Sequence, residues 1–471
     1  MLGPTITEFR PPPILAHTTA FILIGLQKPV QWLFPNLRSV EWQFDPDPVC
    51  CDSSMLSLAV LLGPRVESVT VMQVNPMPEW ASALLLDELR AFALSRTNLK
   101  HFKVYCTQLA QPMASLVPDV IKENKELRTL EVWQQLSEPL PRTTWLEVAR
   151  LPKLEKTLVF VDEFLGTEDE QPELRKLSEP LFPFLLQVTI HTDEITGFSR
   201  LLDFIHSSSL ENIALIVTEP PTNEEVKTLF TKLTKHRSHA SLRYLTFKSV
   251  FSCPRDDDSY IITADTLRLL LPLRNLVTCT LAFHCPMRPD DAFLSDAATA
   301  WGETLMSLDI GTGYRRRMSE PPAVTLTGLT AIATKCLRLA HLGVEFTPNV
   351  EDFQEAYDAG VRPCQHGFGH VGRLSVGAST LGDLNEAQVI TLAGILSDLF
   401  PMIIQIESLW EREEDPMHDE DPDDEQEREA WRKVWTLTKG MVAIRLQERL
   451  WASLRGDHDA VGSDSWMYGA C

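Results

Sequence analysis

Between Leu326 and Phe346 the apolar residues change their period within a few positions. Leu326, Leu329, Ile332 and Ala333 recur at helical spacing and place one apolar stripe on a short helix. Leu339, Leu342 and Val344 then follow Leu-x-x-Leu-x-Val, in which Leu342 and Val344 alternate as a brief half-buried strand requires. A helix of about three turns joined to one short strand cannot cover both apolar faces by itself. It needs copies of itself stacked on each side.

Those copies are present. The pattern recurs at Leu37-Val40-Trp42, Val66-Val69-Val71, Leu99-Phe102-Val104 and Leu127-Leu130-Val132, with Leu154-Leu158-Phe160 as a slipped example. It resumes at Leu185-Val188-Ile190, Leu210-Ile213-Leu215, Leu242-Leu245-Phe247, Leu276-Cys279-Leu281, Leu305-Leu308-Ile310 and Val371-Leu374-Val376. The separations run from roughly 25 to 34 residues, the range of leucine-rich repeats and slightly beyond. The expected fold is an α/β leucine-rich-repeat solenoid: a curved parallel sheet on the concave face, helices on the convex face, and helical caps.

A chain of 471 residues would ordinarily suggest about three globular domains. A repeat array escapes that estimate, because each unit needs only its neighbours. The formal net charge of -22 argues against binding a phosphate backbone or an anionic membrane surface. Nine cysteines are odd in number and scattered, without a Cys-x-x-Cys pair. Reduced thiols in the cytoplasm or nucleus are therefore expected, with Cys279 on an inward strand position and Cys336 near a helix end. The apolar patch from Ala20 to Leu26 is too short to span a bilayer and lacks the flanks of a signal peptide.

Residues 1–33 read as an arm and cap: Pro11-Pro12-Pro13 is non-helical, and Phe21, Ile24, Leu26, Val30 and Leu33 form a broken amphipathic segment. The solenoid is expected over 34–410. Helices fit at 54–62, 80–95, 113–124, 145–150, 198–207, 224–235, 263–271, 290–302 and 326–336, and Asn385 to Phe400 makes one more. Start signals precede several of them, at Asp52-Ser53, at Thr222-Asn223-Glu224-Glu225 and at Thr263-Ala264-Asp265. A final strand is expected around Ile403 to Ile406. The acidic run 411–429 reads as a disordered linker, 430–455 as a C-terminal cap helix with Trp431, Val434, Trp435, Thr438, Met441, Val442 and Leu446 on its apolar face, and 456–471 as a disordered tail.

Three stretches carry a resemblance: Phe34-Pro35-Asn36-Leu37-Arg38-Ser39-Val40-Glu41-Trp42, Leu326-Thr327-Gly328-Leu329 through Cys336-Leu337-Arg338-Leu339, and Ile395-Leu396-Ser397-Asp398-Leu399-Phe400-Pro401. Over about residues 30 to 450 the chain resembles the leucine-rich-repeat region of the fungal (basidiomycete) F-box-type proteins. The resemblance implies a substrate receptor of an SCF-type cullin–RING ubiquitin ligase, in which an F-box docks the adaptor and the repeats hold the target. The family's F-box opens on a Leu-Pro-x-Glu-Ile-Leu-like pattern, and nothing before Leu33 matches it. Binding to the cullin adaptor is thus expected only if an F-box is encoded upstream, as it would be were this a truncated gene model.

No residues assemble into a catalytic signature: no Gly-x-Ser-x-Gly, His-Glu-x-x-His or Cys/His pairing suggests nucleophilic or hydrolytic catalysis. Cys364, His366 and His370 within CQHGFGH come nearest to a zinc site, but they are three ligands on a Gly-rich loop without a partner pair. A metal-assisted hydrolase built there is the contrasting enzyme hypothesis, and neither metal nor cofactor is expected. Asp256-Asp257-Asp258 reads as a solvated charge run, Gly311-Thr312-Gly313 as a turn after a strand, and Arg315-Arg316-Arg317 as an exposed loop.

What remains is a surface. Residues that alternate with the inward Leu/Val positions face outward, which nominates Glu41, Gln43, Thr70, Met72, Lys103, Tyr105, Glu131, Trp133, Thr189, His191, Thr246 and Lys248. Tyr105 and Trp133 belong to adjacent repeats and should be neighbours, as aromatic anchors of an interface often are. The expected function is non-catalytic protein recognition by a monomer that binds neither nucleic acid nor membrane. The alternative to the ligase receptor is an adaptor-independent binder or inhibitor, acting through the same concave face on a protein target that the sequence does not name.

Overall fold

Each apolar triplet sits where two constraints meet: its strand must pair with the coil before and after, and its side chains must leave water. The computed structural model describes residues 8–9, 36–44, 62–63, 65–73, 79–94, 98–106, 115–134, 140–160, 180–254, 257–313, 321–353, 370–382, 384–411 and 422–455. They belong to two compact units, one of residues 1–218 with 236–241 and one of 219–235 with 242–471.

In the first unit eight strands follow one another in sequence order. They are β1 (Glu8–Phe9), β2 (Ser39–Phe44), β3 (Ser68–Gln73), β4 (His101–Cys106), β5 (Thr129–Gln134), β6 (Lys156–Phe160), β7 (Gln187–Thr192) and β8 (Asn212–Val217). Every pairing is parallel. The connections carry α1 (Glu79–Leu94), α2 (Val117–Glu123), α3 (Arg142–Ala149) and α4 (Ile195–Leu201). A strand-to-strand crossover of this kind puts its helix on one face of the sheet and leaves the other face open.

One carbonyl per coil locks the rungs together. Glu67 O accepts from both Lys100 N at 2.8 Å and His101 N at 3.0 Å, and Lys100 O accepts from both Arg128 N at 2.7 Å and Thr129 N at 3.0 Å. Arg128 O and Glu155 O repeat the arrangement. Inside, Leu37, Val40, Val69, Val71, Leu99, Phe102, Val104, Leu127 and Leu130 are all fully buried. Asn124 adds a polar tie beneath them: its Oδ1 accepts from Leu99 N at 3.2 Å, and its Nδ2 donates to Val120 O at 2.9 Å.

The fifth repeat corrects the sequence reading. Leu154 is buried, but Leu158 pairs with Glu131 and Thr189 on the open face, where Phe160 also lies. The inward place beside Leu130 and Val188 goes to Thr157. Spacing of three from Leu154 therefore holds, and a threonine occupies a slot for which an apolar residue was expected. Its hydroxyl is buried with no hydrogen-bond partner among the described residues.

The second unit contains α5 (Asn223–Lys235), β9 (Tyr244–Ser249), β10 (Ile262–Thr263), α6 (Ala264–Arg268), β11 (Thr278–Ala282), β12 (Met287–Arg288) and α7 (Asp291–Trp301). It continues with β13 (Ser307–Ile310), α8 (Leu326–Lys335), β14 (His341–Val344), β15 (Arg373–Gly377), α9 (Glu386–Leu399), β16 (Gln405–Ser408) and α10 (Pro422–Arg455). Strands β9, β11, β13, β14, β15 and β16 form a parallel sheet in that order, while β10 and β12 pair separately. Two helix starts follow the sequence signals, with Thr222 and Glu225 capping one another at α5 and Thr263 accepting from Thr266 N; α9 adds a reciprocal cap of Asn385 with Gln388. Asp291 joins α7 to α8 by accepting from Thr325 N at 2.7 Å and Gly328 N at 3.0 Å. A Cβ at position 328 would stand 2.3 Å from that carboxylate, which explains a glycine inside a helix.

The acidic stretch is also corrected. Leu409–Glu411 is a 3₁₀ turn, and α10 begins at Pro422, inside the run expected to be a linker. The cause is specific pairing. Glu427 is buried and accepts from Leu381 N at 2.8 Å, and the indole N–H groups of Trp410 and Trp431 both donate to Ser379 O, at 3.2 and 2.8 Å. Trp431, Val434, Thr438 and Val442 are buried, whereas Leu446 is exposed and does not belong to the apolar face assigned to it. The expected cap at 16–33, most of the helix at 54–62, the Arg315 loop, the run 412–421 and the tail 456–471 lie outside the described residues.

Two measurements test these assignments. Thr157→Val removes an unsatisfied hydroxyl at constant shape, so it should stabilise the protein by about 1 kcal/mol in denaturant unfolding; a loss of stability would show that the hydroxyl is paired. Glu345 concerns pH. Burial pushes its carboxyl up to about 7, against the smaller opposite effect of the hydrogen bond from Ala378 N at 2.9 Å. A carboxyl raised on folding stabilises fully below its unfolded value and loses that contribution as pH rises through its folded value. Wild type should therefore lose stability, on the order of 3 kcal/mol, relative to Glu345→Gln between about pH 4.5 and 7. Parallel pH–stability curves would refute it.

Candidate protein-binding face

On the open face of the first unit the side chains fall into rows, because parallel strands in register stack equivalent residues about 4.8 Å apart. One row is Glu41, Thr70, Lys103, Glu131, Leu158, Thr189 and Ala214. The next, two residues along each strand, begins Gln43, Met72, Tyr105 and Trp133. Phe160, His191 and Ile216 continue it. Tyr105 and Trp133 are direct cross-strand partners.

Of the nominated residues, Glu41, Thr70, Met72, Lys103, Tyr105, Glu131, Trp133, Thr189 and His191 are half-buried and Gln43 is exposed. Each alternates with a buried residue of the triplets. Thr246 and Lys248 lie on the second unit, where Thr246 heads a row of Thr280, Asp309, Gly343, Ser375 and Glu407, and Lys248 faces Ala282. That row is small and polar. Sequence reasoning missed Leu158 and Phe160, which it placed inside, and Ile216; a count of three and five from Leu154 offers Thr157 and Val159 instead, and the pairing of Thr157 with Leu130 and Val188 decides between the two frames.

Two charges of the first row, Lys103 and Glu131, satisfy each other. The Glu131 carboxylate accepts a short hydrogen bond from the Tyr105 hydroxyl and pairs with Lys103 Nζ at 3.3 Å. Burial, then that hydrogen bond, drives the Tyr105 phenol far above its ordinary range, so it stays a donor. His101 Nδ1 stands 3.0 Å from Thr129 Oγ1, and burial followed by the charge of Lys103 lowers its pKa. His191 is pushed down to about 4 by burial alone, and its imidazole is neutral at pH 7. The second row is thus an uncharged, largely aromatic band beside one in which Lys103 and Glu131 are paired. Such a surface has the chemistry of an interface core: aromatic anchors with the charges removed.

Other sequence candidates are resolved differently. Asp257 accepts from Ser259 N at 2.9 Å and shapes its own loop. Thr312 donates to Asp309 at 2.7 Å next to Gly311, whose φ of 77° closes the turn after β13. Cys279 and Cys336 are buried and their thiols pushed up to about 12 and 11 by burial. Cys364 and His366 lie outside the described residues, and among the described residues no group of three or more His, Cys, Asp or Glu is placed to hold a metal ion.

No family model matches the chain, and no curated protein matches it. Among solved structures it is similar to a chain of the crystal structure of the Rad7 and Elc1 complex in yeast, at 12% identity and a TM-score of 0.38. The match covers 68% of this chain and 79% of that one. A likeness this loose carries no argument about function. No helix among the described residues is long and apolar enough to cross a membrane.

The band's neutrality is measurable. A histidine lowered on folding gives stability that is fully present above its unfolded value, near 6.5, and lost as pH falls toward the folded one. The His191 imidazole should titrate with a midpoint near 4 when followed by NMR. A midpoint near 6.5 would place it in open solvent.

Proposed function

We propose that this chain is a non-catalytic protein-recognition scaffold that holds another polypeptide against the open face of its first unit. The observation that carries the reading is the band of Met72, Tyr105, Trp133, Phe160, His191 and Ile216, half-exposed on consecutive strands beside charges already paired. Half-exposed aromatics held by a rigid sheet lose little conformational entropy when a partner covers them. The resemblance of the sequence to F-box repeat proteins supports a finer reading, in which the bound polypeptide is the substrate of an SCF-type ubiquitin ligase. An adaptor-independent binder or inhibitor uses the same face.

The test places a photo-crosslinking residue at Gln43, at the exposed end of the band, and identifies the captured polypeptide. Capture should be lost in Trp133→Ala with Phe160→Ala at unchanged circular-dichroism spectrum. Capture unaffected by the double substitution sinks the open-face reading. Co-elution of the purified chain with the cullin adaptor supports the receptor; capture without co-elution supports the independent binder.

A further inference from the structure

The residue immediately before each strand forms a row of its own, since its carbonyl takes both N–H groups of the next coil. In the first unit this row is Arg38, Glu67, Lys100, Arg128, Glu155, Leu186 and Glu211, and most of its charges pair across neighbouring strands. Arg38 lies 3.8 Å and Lys100 2.8 Å from Glu67, and Arg128 lies 3.0 Å from Glu155. In the second unit the same row reads Arg243, Val277, Met306, Ala340, Gly372 and Ile404. After the first rung it carries no charge.

The change leaves apolar side chains in water. Met306 is 42% exposed and Ile404 77%, and the preceding turns add Leu337 at 49% and Met402 at 51%. Three rungs separate Met306 from Ile404, a span of roughly 14 Å. The Ile404 side chain lies against Gly372, whose absent Cβ would stand 3.7 Å away, and so covers the rung before its own. Exposed apolar residues are ordinary when single; four large ones along one edge of successive repeats are not.

The rim is basic in a chain of net charge -22. Arg274 and Arg338 project from the turns, both exposed and without an ion pair among the described residues. Arg243 stands at the first rung and Arg373 beside Gly372, the latter 3.3 Å from Glu407. Against these stands Glu303 on the intervening turn. Unpaired guanidinium groups flanking an apolar row complement a ligand carrying carboxylates between large apolar side chains.

We infer that this edge of the second unit, with Met306, Leu337 and Ile404 exposed along it and Arg274 and Arg338 on its turns, binds an acidic, apolar-rich segment of a partner protein. The site is separate from the open face of the first unit and does not depend on what that face binds.

The test is selection of random dodecapeptides on the full chain. Selected peptides should be rich in Asp and Glu interspersed with Leu, Ile, Met, Phe or Trp. They should bind Ile404→Asp and Met306→Asp about tenfold more weakly and Arg338→Glu several-fold more weakly, and should weaken with salt. All three positions are exposed, so equal melting temperatures verify folding. Trp133→Ala should leave binding unchanged, which separates this site from the open face. The inference is overturned if no peptides are selected, if they lack acidic enrichment, or if these three variants bind them as wild type does. It is equally overturned if light scattering shows a dimer that Ile404→Asp dissociates, since the occupant is then a second copy.

Discussion

Everything in this protein depends on a coil being dry only when the next coil lies against it in register. The triplets bury three aliphatic or aromatic side chains per coil, each contributing about 1.5–3 kcal/mol relative to exposure. A backbone hydrogen bond contributes about 1 kcal/mol net. Burial therefore drives the stacking, and the shared carbonyl at each rung decides its register. A slip of one residue would turn every triplet outward. The fifth repeat shows the strength of the constraint. Thr157 enters the core and Phe160 leaves it, because the opposite arrangement would break register with the strands on both sides.

The same constraint separates stability from recognition. Residues facing the helices are committed to the core, and those facing away vary without disturbing it. The first unit uses that freedom for two kinds of row. Charged rows satisfy themselves across strands, as Arg38, Glu67 and Lys100 do, whereas the band around Trp133 carries aromatic area with little charge. The second unit inverts the choice: small polar residues occupy its open face, and the apolar row has moved to the edge where the strands begin. Its polar groups tie neighbouring turns, with Glu345 accepting from Ala378 N and Asp309 from Thr312.

Much of the helical and strand layout is legible in the residues because period, cap and breaker act locally. Asn385 and Gln388 close a cap four residues long, and Leu339, Leu342 and Val344 announce a strand with no help from elsewhere. Other features depend on distant partners. Glu427 belongs to an acidic run that reads as unable to pack, yet Leu381 N, forty-six residues away, gives its carboxylate a buried partner and lets α10 start early. Asn124 reads as a helix end, but its amide reaches the start of another coil.

From the residues alone one could determine that this chain builds repeating helix–strand coils, which of its Leu and Val side chains face inward in nearly every repeat, and which residues therefore face out. Those properties arise from spacing, and spacing is written in the sequence. The tertiary structure alone decided that Thr157 rather than Leu158 takes the inward slot, that Phe160 completes an aromatic band with Trp133, and that Met306 and Ile404 share one exposed row. Each of these turns on which residue of a neighbouring coil stands opposite, and the register between separate stretches of chain is set by hydrogen bonds that local sequence does not encode.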